Sequence, residues 1–171
     1  WSPGTEPAAK RPVMVGLLPG GFTRGDSAMS RYDGQALARR GVVVVTFNYR
    51  LGLFGEFAHP ALSRAQAGEP LANYHLMDQL AALRWVRANI AAFGGEPANV
   101  TIFGMSAGGM SVNYLLASPA GAGLFDKAIS ESSALRMSYD RNLAEDVRGI
   151  PSLESEGASH AKKLGIFGDD A

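Results

Sequence analysis

Gly104-Met105-Ser106-Ala107-Gly108 places a serine between two glycines at G-x-S-x-G spacing, a pattern in which the serine hydroxyl can attack acyl groups. Five residues alone are weak, because chance produces the pattern in roughly one chain in five of this glycine and serine content. The pattern has a steric logic. A nucleophile on a sharp strand-to-helix turn sits in a strained backbone conformation, and side chains beside it would collide. Glycines on either side remove the collision and let the helix close on the strand. The helix N-terminus beneath the hydroxyl then favours the negative charge that develops in acyl transfer. A glycine turn with a helix-capping serine has the same five residues. Gly20-Gly21-Phe22 is a second candidate. Glycines there let backbone N–H groups approach a substrate oxygen closely, although taken alone an ordinary glycine turn after a strand looks the same.

The elements around these residues decide between the readings. Val100 to Phe103 runs as a strand directly into the motif, and a helix is predicted from Ala107 to Ala117, stopped near Pro119. Upstream, Pro12 to Leu18 reads as a strand ending at Pro19-Gly20-Gly21, and 33–40 as a short helix stopped by Gly41. Val42 to Tyr49 is a β-branched, nearly all-apolar run of the kind expected when both faces of a parallel sheet are covered. Leu51 to Pro70 reads as an irregular excursion. Leu76, Leu80, Leu83, Val86, Ile90 and Phe93 recur at helical steps and predict one apolar stripe, with Gly94-Gly95 placed to cap it. The strand into the motif starts at Asn99, Lys127 to Ser130 supplies one more, and 139–171 carries only weak helical signals. Strands alternating with helices predict a mostly parallel α/β sheet with helices on both faces. About four strands are fewer than the roughly five to six of a typical sheet, so the chain reads as part of a domain.

Composition excludes several functions. Sixteen basic residues balance sixteen acidic ones, which gives no electrostatic reason to expect a nucleic acid or an anionic membrane as partner. The chain has no cysteine, hence no disulfide framework and no thiolate metal site. The longest apolar run, Gly41 to Phe47, is too short to span a bilayer. No signal peptide is visible in the residues from Trp1. No cofactor and no metal are expected. A dinucleotide site at Gly104, Ser106 and Gly109, with Glu131 ending the next strand, fails because Ser106 stands where pyrophosphate needs glycine to approach the backbone.

From Pro12 to about Ser133 the chain resembles the type-B carboxylesterases, which include the cholinesterases and para-nitrobenzyl esterases. The stretches that carry the likeness are Pro12 to Val15, Gly20-Gly21-Phe22, VVVVTFNYRLGLFG (42–55), NYHLMDQLAALRWVRANIAAFGG (73–95), and 99–132 with GMSAGGMSV, LLASP and GLFDKAISES. The resemblance implies a partial α/β-hydrolase fold over 1–171, truncated at both ends, and hydrolysis of small-molecule carboxylic esters through an acyl-enzyme on Ser106. It implies an oxyanion hole made of the backbone N–H groups of Gly20, Gly21 and Ala107. Three departures fall near the chemistry: Leu18-Pro19 stand where the family usually has His-Gly, Met105 where it has Glu, and His75 where it tends to have Gly. Pro19 lacks an N–H, but the two expected donors map to the glycines after it.

A serine needs a base, and the base an orienting acid. In this fold the order is Ser, then Asp or Glu, then His. His59 and His75 precede Ser106 and read as surface or capping residues. His160 follows it, with Asp140, Asp146 and Glu154 between, but in a polar stretch with no strand to bring it over the sheet. The resemblance places the acid and histidine beyond this chain, so the piece alone is expected to be inactive. The alternative is a non-catalytic binding or adhesion protein on the same fold, against which Ser106 argues. Phe22, Phe54 and Phe57 are candidates for an apolar pocket wall, with core packing as the plainer role. Substrate identity, oligomeric state and compartment are not legible, although bacterial relatives suggest a secreted or periplasmic setting.

Overall fold

Val13 and Val15 within Arg11–Leu17 and the unbroken run Val43, Val44 and Val45 within Val43–Thr46 make two strands, β1 and β2, whose side chains divide between two faces of one sheet. The structure, a computed structural model, describes residues 1–133 and 141–167. In chain order the elements are β1; a one-turn helix α1 (Gln35–Ala38); β2; short helices α2 (Leu53–Glu56) and α3 (Pro60–Ala65); the long helix α4 (Tyr74–Asn89); β3 (Gly95–Met105); α5 (Ala107–Ala117); β4 (Lys127–Glu131); and α6 (Leu153–Lys163). The strands pair in the order β2-β1-β3-β4, all parallel.

Register assigns the faces. Val13 pairs with Val43 and Val100, and these residues pack with Val15, Leu17, Ile102, Leu83 and Val86 of α4, Ile90, and Val112 and Leu115 of α5 in one buried cluster. Both long helices therefore cover this face. They are joined across it by a hydrogen bond from the Gln79 side-chain amide to the Ser111 hydroxyl at 3.0 Å, both residues fully buried. On the opposite face, Gly16 lies between Phe103 and Thr46, and Gly34, just before α1, lies against Val44 and the Trp1 ring. Helices and the N-terminal segment thus cover both faces at the β1–β2 side. β4 differs, since every one of its residues is exposed.

Several boundaries depart from the sequence reading. β2 ends at Thr46 rather than Tyr49, because the chain turns away so that Tyr49 can bury its ring. The excursion after Leu51 holds α2 and α3. Gly94 caps the turn after α4 in the left-handed region at φ 79°, but Gly95 already belongs to β3, which starts well before Asn99. The buried stripe of α4 runs through His75, Gln79, Leu83 and Val86, so Leu83, Val86 and, just past the helix, Ile90 are buried as predicted, and only the first two positions are shifted by one. Leu76 and Leu80 are half-buried, and Phe93 lies exposed against Trp85, with ring centroids 5.8 Å apart. No helix among the described residues is long and apolar enough to cross a membrane.

Candidate active site

Ser106 occupies the single residue between β3 and α5 and takes φ 55°, ψ −121°, a left-handed conformation that costs a non-glycine residue about 1–3 kcal/mol. Hydrogen bonds on both sides hold it there: its N–H donates to the Glu131 carbonyl at the end of β4, and its carbonyl accepts from the Met110 N–H, each at 2.9 Å. Its hydroxyl does not cap the helix, and the residue is exposed. Ala107, the first helical residue, has a backbone N–H with no partner inside the helix and lies at the positive end of its dipole.

The flanking glycines are required by backbone, not by side chains. A Cβ on Gly104 would stand 2.4 Å from the Gly108 carbonyl carbon, and one on Gly108 would stand 2.1 Å from the Leu17 carbonyl oxygen. Gly109, outside the motif, is tight as well, with Glu131 O and Ser133 Cβ each 2.8 Å from such an atom. So α5 begins wedged between the ends of β1, β3 and β4. The doubled glycine Gly108-Gly109 is the mark of this third approach in the sequence, one residue beyond the G-x-S-x-G pattern.

The turn after β1 lies beside the elbow. Leu17 pairs with Gly104 across the sheet, and adjacent strands lie about 4.8 Å apart. Leu18, Phe22, Ala107 and Met110 share one apolar cluster with Tyr49. Within the turn Gly20, Gly21 and Phe22 all have positive φ, at 120°, 63° and 60°. The Gly20 carbonyl accepts from the Thr23 and Arg24 N–H groups, both at 3.2 Å, and a Cβ on Gly20 would meet Arg24 O at 1.9 Å. Behind it, the buried Tyr49 hydroxyl donates to Leu18 O at 2.6 Å, and burial pushes its phenol up to about 12. Leu18, at a departure from the family pattern, is buried in that cluster, whereas Met105 is exposed beside Ser106.

The structure thus brings Ser106, Ala107, Gly20 and Gly21 to one end of the sheet. The histidines lie elsewhere. His59 caps α3, its Nδ1 accepting from the Ala61 N–H at 3.2 Å, as the capping reading expected, but it is buried rather than on the surface. His75 neither caps nor faces solvent. It is buried, its Nδ1 3.0 Å from Gly55 O and its ring centroid 4.6 Å from that of Phe22. His160 sits half-buried in the last turn of α6. Of the acids, Asp146 accepts from the Ser152 N–H at 2.7 Å and from the Ser155 hydroxyl at 2.9 Å, bonds that hold its carboxyl below the usual range. Glu154 accepts from the Ser63 hydroxyl. Both serve the start of α6. Asp140 lies outside the described residues. Phe54 is exposed, and Phe57 stacks on His59. A cleft of about 1170 Å³ runs between α4 and α5, walled by Phe22, Leu80, Met110 and Tyr114 among others, and Ser106 does not line it. Near its upper end burial pushes the Glu56 carboxyl up, with His75 opposing. Among the described residues no group of three or more His, Cys, Asp or Glu could hold a metal ion.

Comparison with known proteins gives a consistent outcome. A sequence profile described as the Carboxylesterase family matches residues 1–148. A fumonisin B1 esterase of Sphingopyxis macrogoltabida is 49% identical over 135 residues, which are 79% of this chain and 25% of that protein. A para-nitrobenzyl esterase of Bacillus subtilis (strain 168) is 52% identical over 137 residues, 80% of this chain and 27% of that protein. The chain therefore spans about a quarter of the length of these curated relatives. Among solved structures, a Geobacillus stearothermophilus carboxylesterase superposes with a TM-score of 0.86 at 40% identity, covering 99% of this chain and 34% of that one. The sheet with its helices is part of an α/β-hydrolase fold.

Proposed function

The chain belongs to the carboxylesterase family, and on that premise we propose that it supplies the nucleophile and oxyanion hole of a serine carboxylesterase acting on small-molecule esters. The observation that carries the reading is Ser106 exposed at φ 55° on the β3–α5 turn, beside a glycine turn that leaves the neighbouring strand. Its hydroxyl oxygen attacks the ester carbonyl carbon, giving its proton to a base. The carbonyl oxygen becomes an oxyanion facing the N–H groups of Gly20, Gly21 and Ala107. Collapse expels the alcohol and leaves an acyl-serine, which water hydrolyses in a second addition.

The base and its acid are read as supplied by sequence beyond residue 171, because His59 and His75 are engaged with backbone and His160 rides on α6. On this reading residues 1–171 are one part of a larger domain. The test uses the full-length protein with para-nitrophenyl acetate. Ser106→Ala is expected to lower kcat by about 10³-fold or more, and a fluorophosphonate probe is expected to label Ser106. Absence of labelling, or undiminished turnover in the alanine variant, overturns the proposal. The 171-residue chain alone is expected to show negligible turnover.

A further inference from the structure

We propose that His75 is a positioning residue for the oxyanion-hole turn, acting through Phe22. The inference rests on the reading of Gly20 and Gly21 as oxyanion donors. Phe22 ends a run of three positive φ angles and is the only one of the three that is not glycine. A residue with a side chain holds φ 60° only when its surroundings impose it. Phe22 is gripped at two points. Its carbonyl accepts from the Gly52 N–H at 2.8 Å, and its buried ring lies against the His75 imidazole at 4.6 Å, with Tyr49 farther off at 6.5 Å.

His75 is itself fixed by the same short segment. Its Nδ1 lies 3.0 Å from the Gly55 carbonyl oxygen. A carbonyl only accepts, so Nδ1 carries the proton and donates it. Gly55 N–H in turn donates to Gly52 O at 2.9 Å. The result is a closed circuit: the Gly52–Gly55 turn holds the Phe22 backbone at one end and the His75 ring at the other, and the two rings meet between them. The Arg50 carbonyl packs closely on Gly55, where a Cβ would stand 2.7 Å from its oxygen. Removing the imidazole opens the circuit on the side facing the strained residue. The Phe22 backbone can then relax, and the N–H groups of the two preceding glycines lose their aim. Ground-state binding of the ester depends little on that aim, whereas stabilisation of the oxyanion depends on it directly.

The experiment compares His75→Ala and His75→Asn in the full-length protein, with kcat expressed per Ser106 labelled by fluorophosphonate so that misfolded protein is not counted. His75→Ala is expected to lower kcat about 10- to 100-fold with KM within about twofold. It should weaken inhibition by a trifluoromethyl ketone, whose serine adduct carries the oxyanion, by the same factor as kcat/KM. Asparagine keeps a donor for Gly55 O and is expected to recover part of the loss. Unchanged kcat, a KM change as large as that in kcat, or an asparagine variant no better than alanine overturns the role of His75. Gly21→Ala separates this from failure of the underlying reading. If it too leaves kcat and ketone affinity untouched, the turn is not the oxyanion hole. If it lowers both while His75→Ala does not, only the positioning role falls.

Discussion

The two central strands and the last strand of the sheet are built from similar residues and end in different states. Ile102 of β3 is fully buried, whereas Ile129 of β4, which pairs with the neighbouring Phe103, is 43% exposed. α4 and α5 close over β1 and β3, whereas every residue of β4 stays exposed although the start of α5 meets its end. Ser106 stands on the seam between these regions. Gly108 seats its helix on β1, Gly109 seats it on β4, and the serine N–H bonds to the final β4 carbonyl. The closed side thus fixes the elbow, and the open side completes it.

The two glycines give the largest expected contrast. Gly108→Ala forces a Cβ to 2.1 Å from the Leu17 carbonyl oxygen on a buried strand end, with neither partner free to move. A loss of about 3 kcal/mol or more is expected, measured by urea unfolding. Gly109→Ala meets Glu131 O and Ser133 Cβ at 2.8 Å, and the exposed β4 end can shift, so a cost of about 1–2 kcal/mol is expected. Equal costs would mean that β4 is held as firmly as β1.

The two isoleucines break the comparison more directly. Ile102→Ala removes side-chain volume from the fully buried cluster and is expected to cost about 2–5 kcal/mol. Ile129→Ala in the 171-residue chain is expected to cost about 0.5 kcal/mol or less, as at other exposed positions. Repeating both in the full-length protein sharpens the result. If later sequence covers β4, the Ile129 cost rises toward that of Ile102.

The same divide separates what was legible in the sequence from what was not. The elbow was readable because backbone packed on backbone admits only glycine, which leaves a mark in the residues themselves. The strands on the closed side were readable because burial on both faces demands unbroken apolar runs. Leu83, Val86 and Ile90 are buried as the apolar stripe predicts, and only the first turns of α4 differ, since apolar periodicity favours Leu76 and Leu80. The structure instead buries His75 and Gln79, whose Nδ1 and side-chain NH2 bond to Gly55 O and the Ser111 hydroxyl, partners that lie 20 and 32 residues away in sequence. Phe22 at positive φ left no mark either, because its conformation is imposed by neighbours distant in sequence. The start of α6 rests on the carboxylate of Asp146 and the capping hydroxyl of Ser152, a local signal lost in a polar stretch.

Changes of pH act without altering the packing, and the two ends of the range address the two regions separately. Asp126 precedes β4, and its carboxyl is held below the usual range by the Val100 N–H and by Arg87. The stability this contributes is present above the ordinary carboxylate pKa of 3.8 and is lost as pH falls through the lower folded value. Amide exchange in Lys127 to Glu131 is therefore expected to accelerate first on acidification. Tyr49 works in the opposite direction on the closed side. Its folded pKa of about 12 exceeds the ordinary 10.0, so the folded state keeps a proton that the unfolded chain releases. Its contribution is full below pH 10 and is lost as pH rises from 10 to about 12. Tyr49→Phe removes the bond to Leu18 O, at a cost of about 1–2 kcal/mol near neutrality. It should also flatten the alkaline fall measured by urea unfolding across that window. An alkaline fall as steep in the variant as in the parent would mean that the phenol does not anchor the turn after β1.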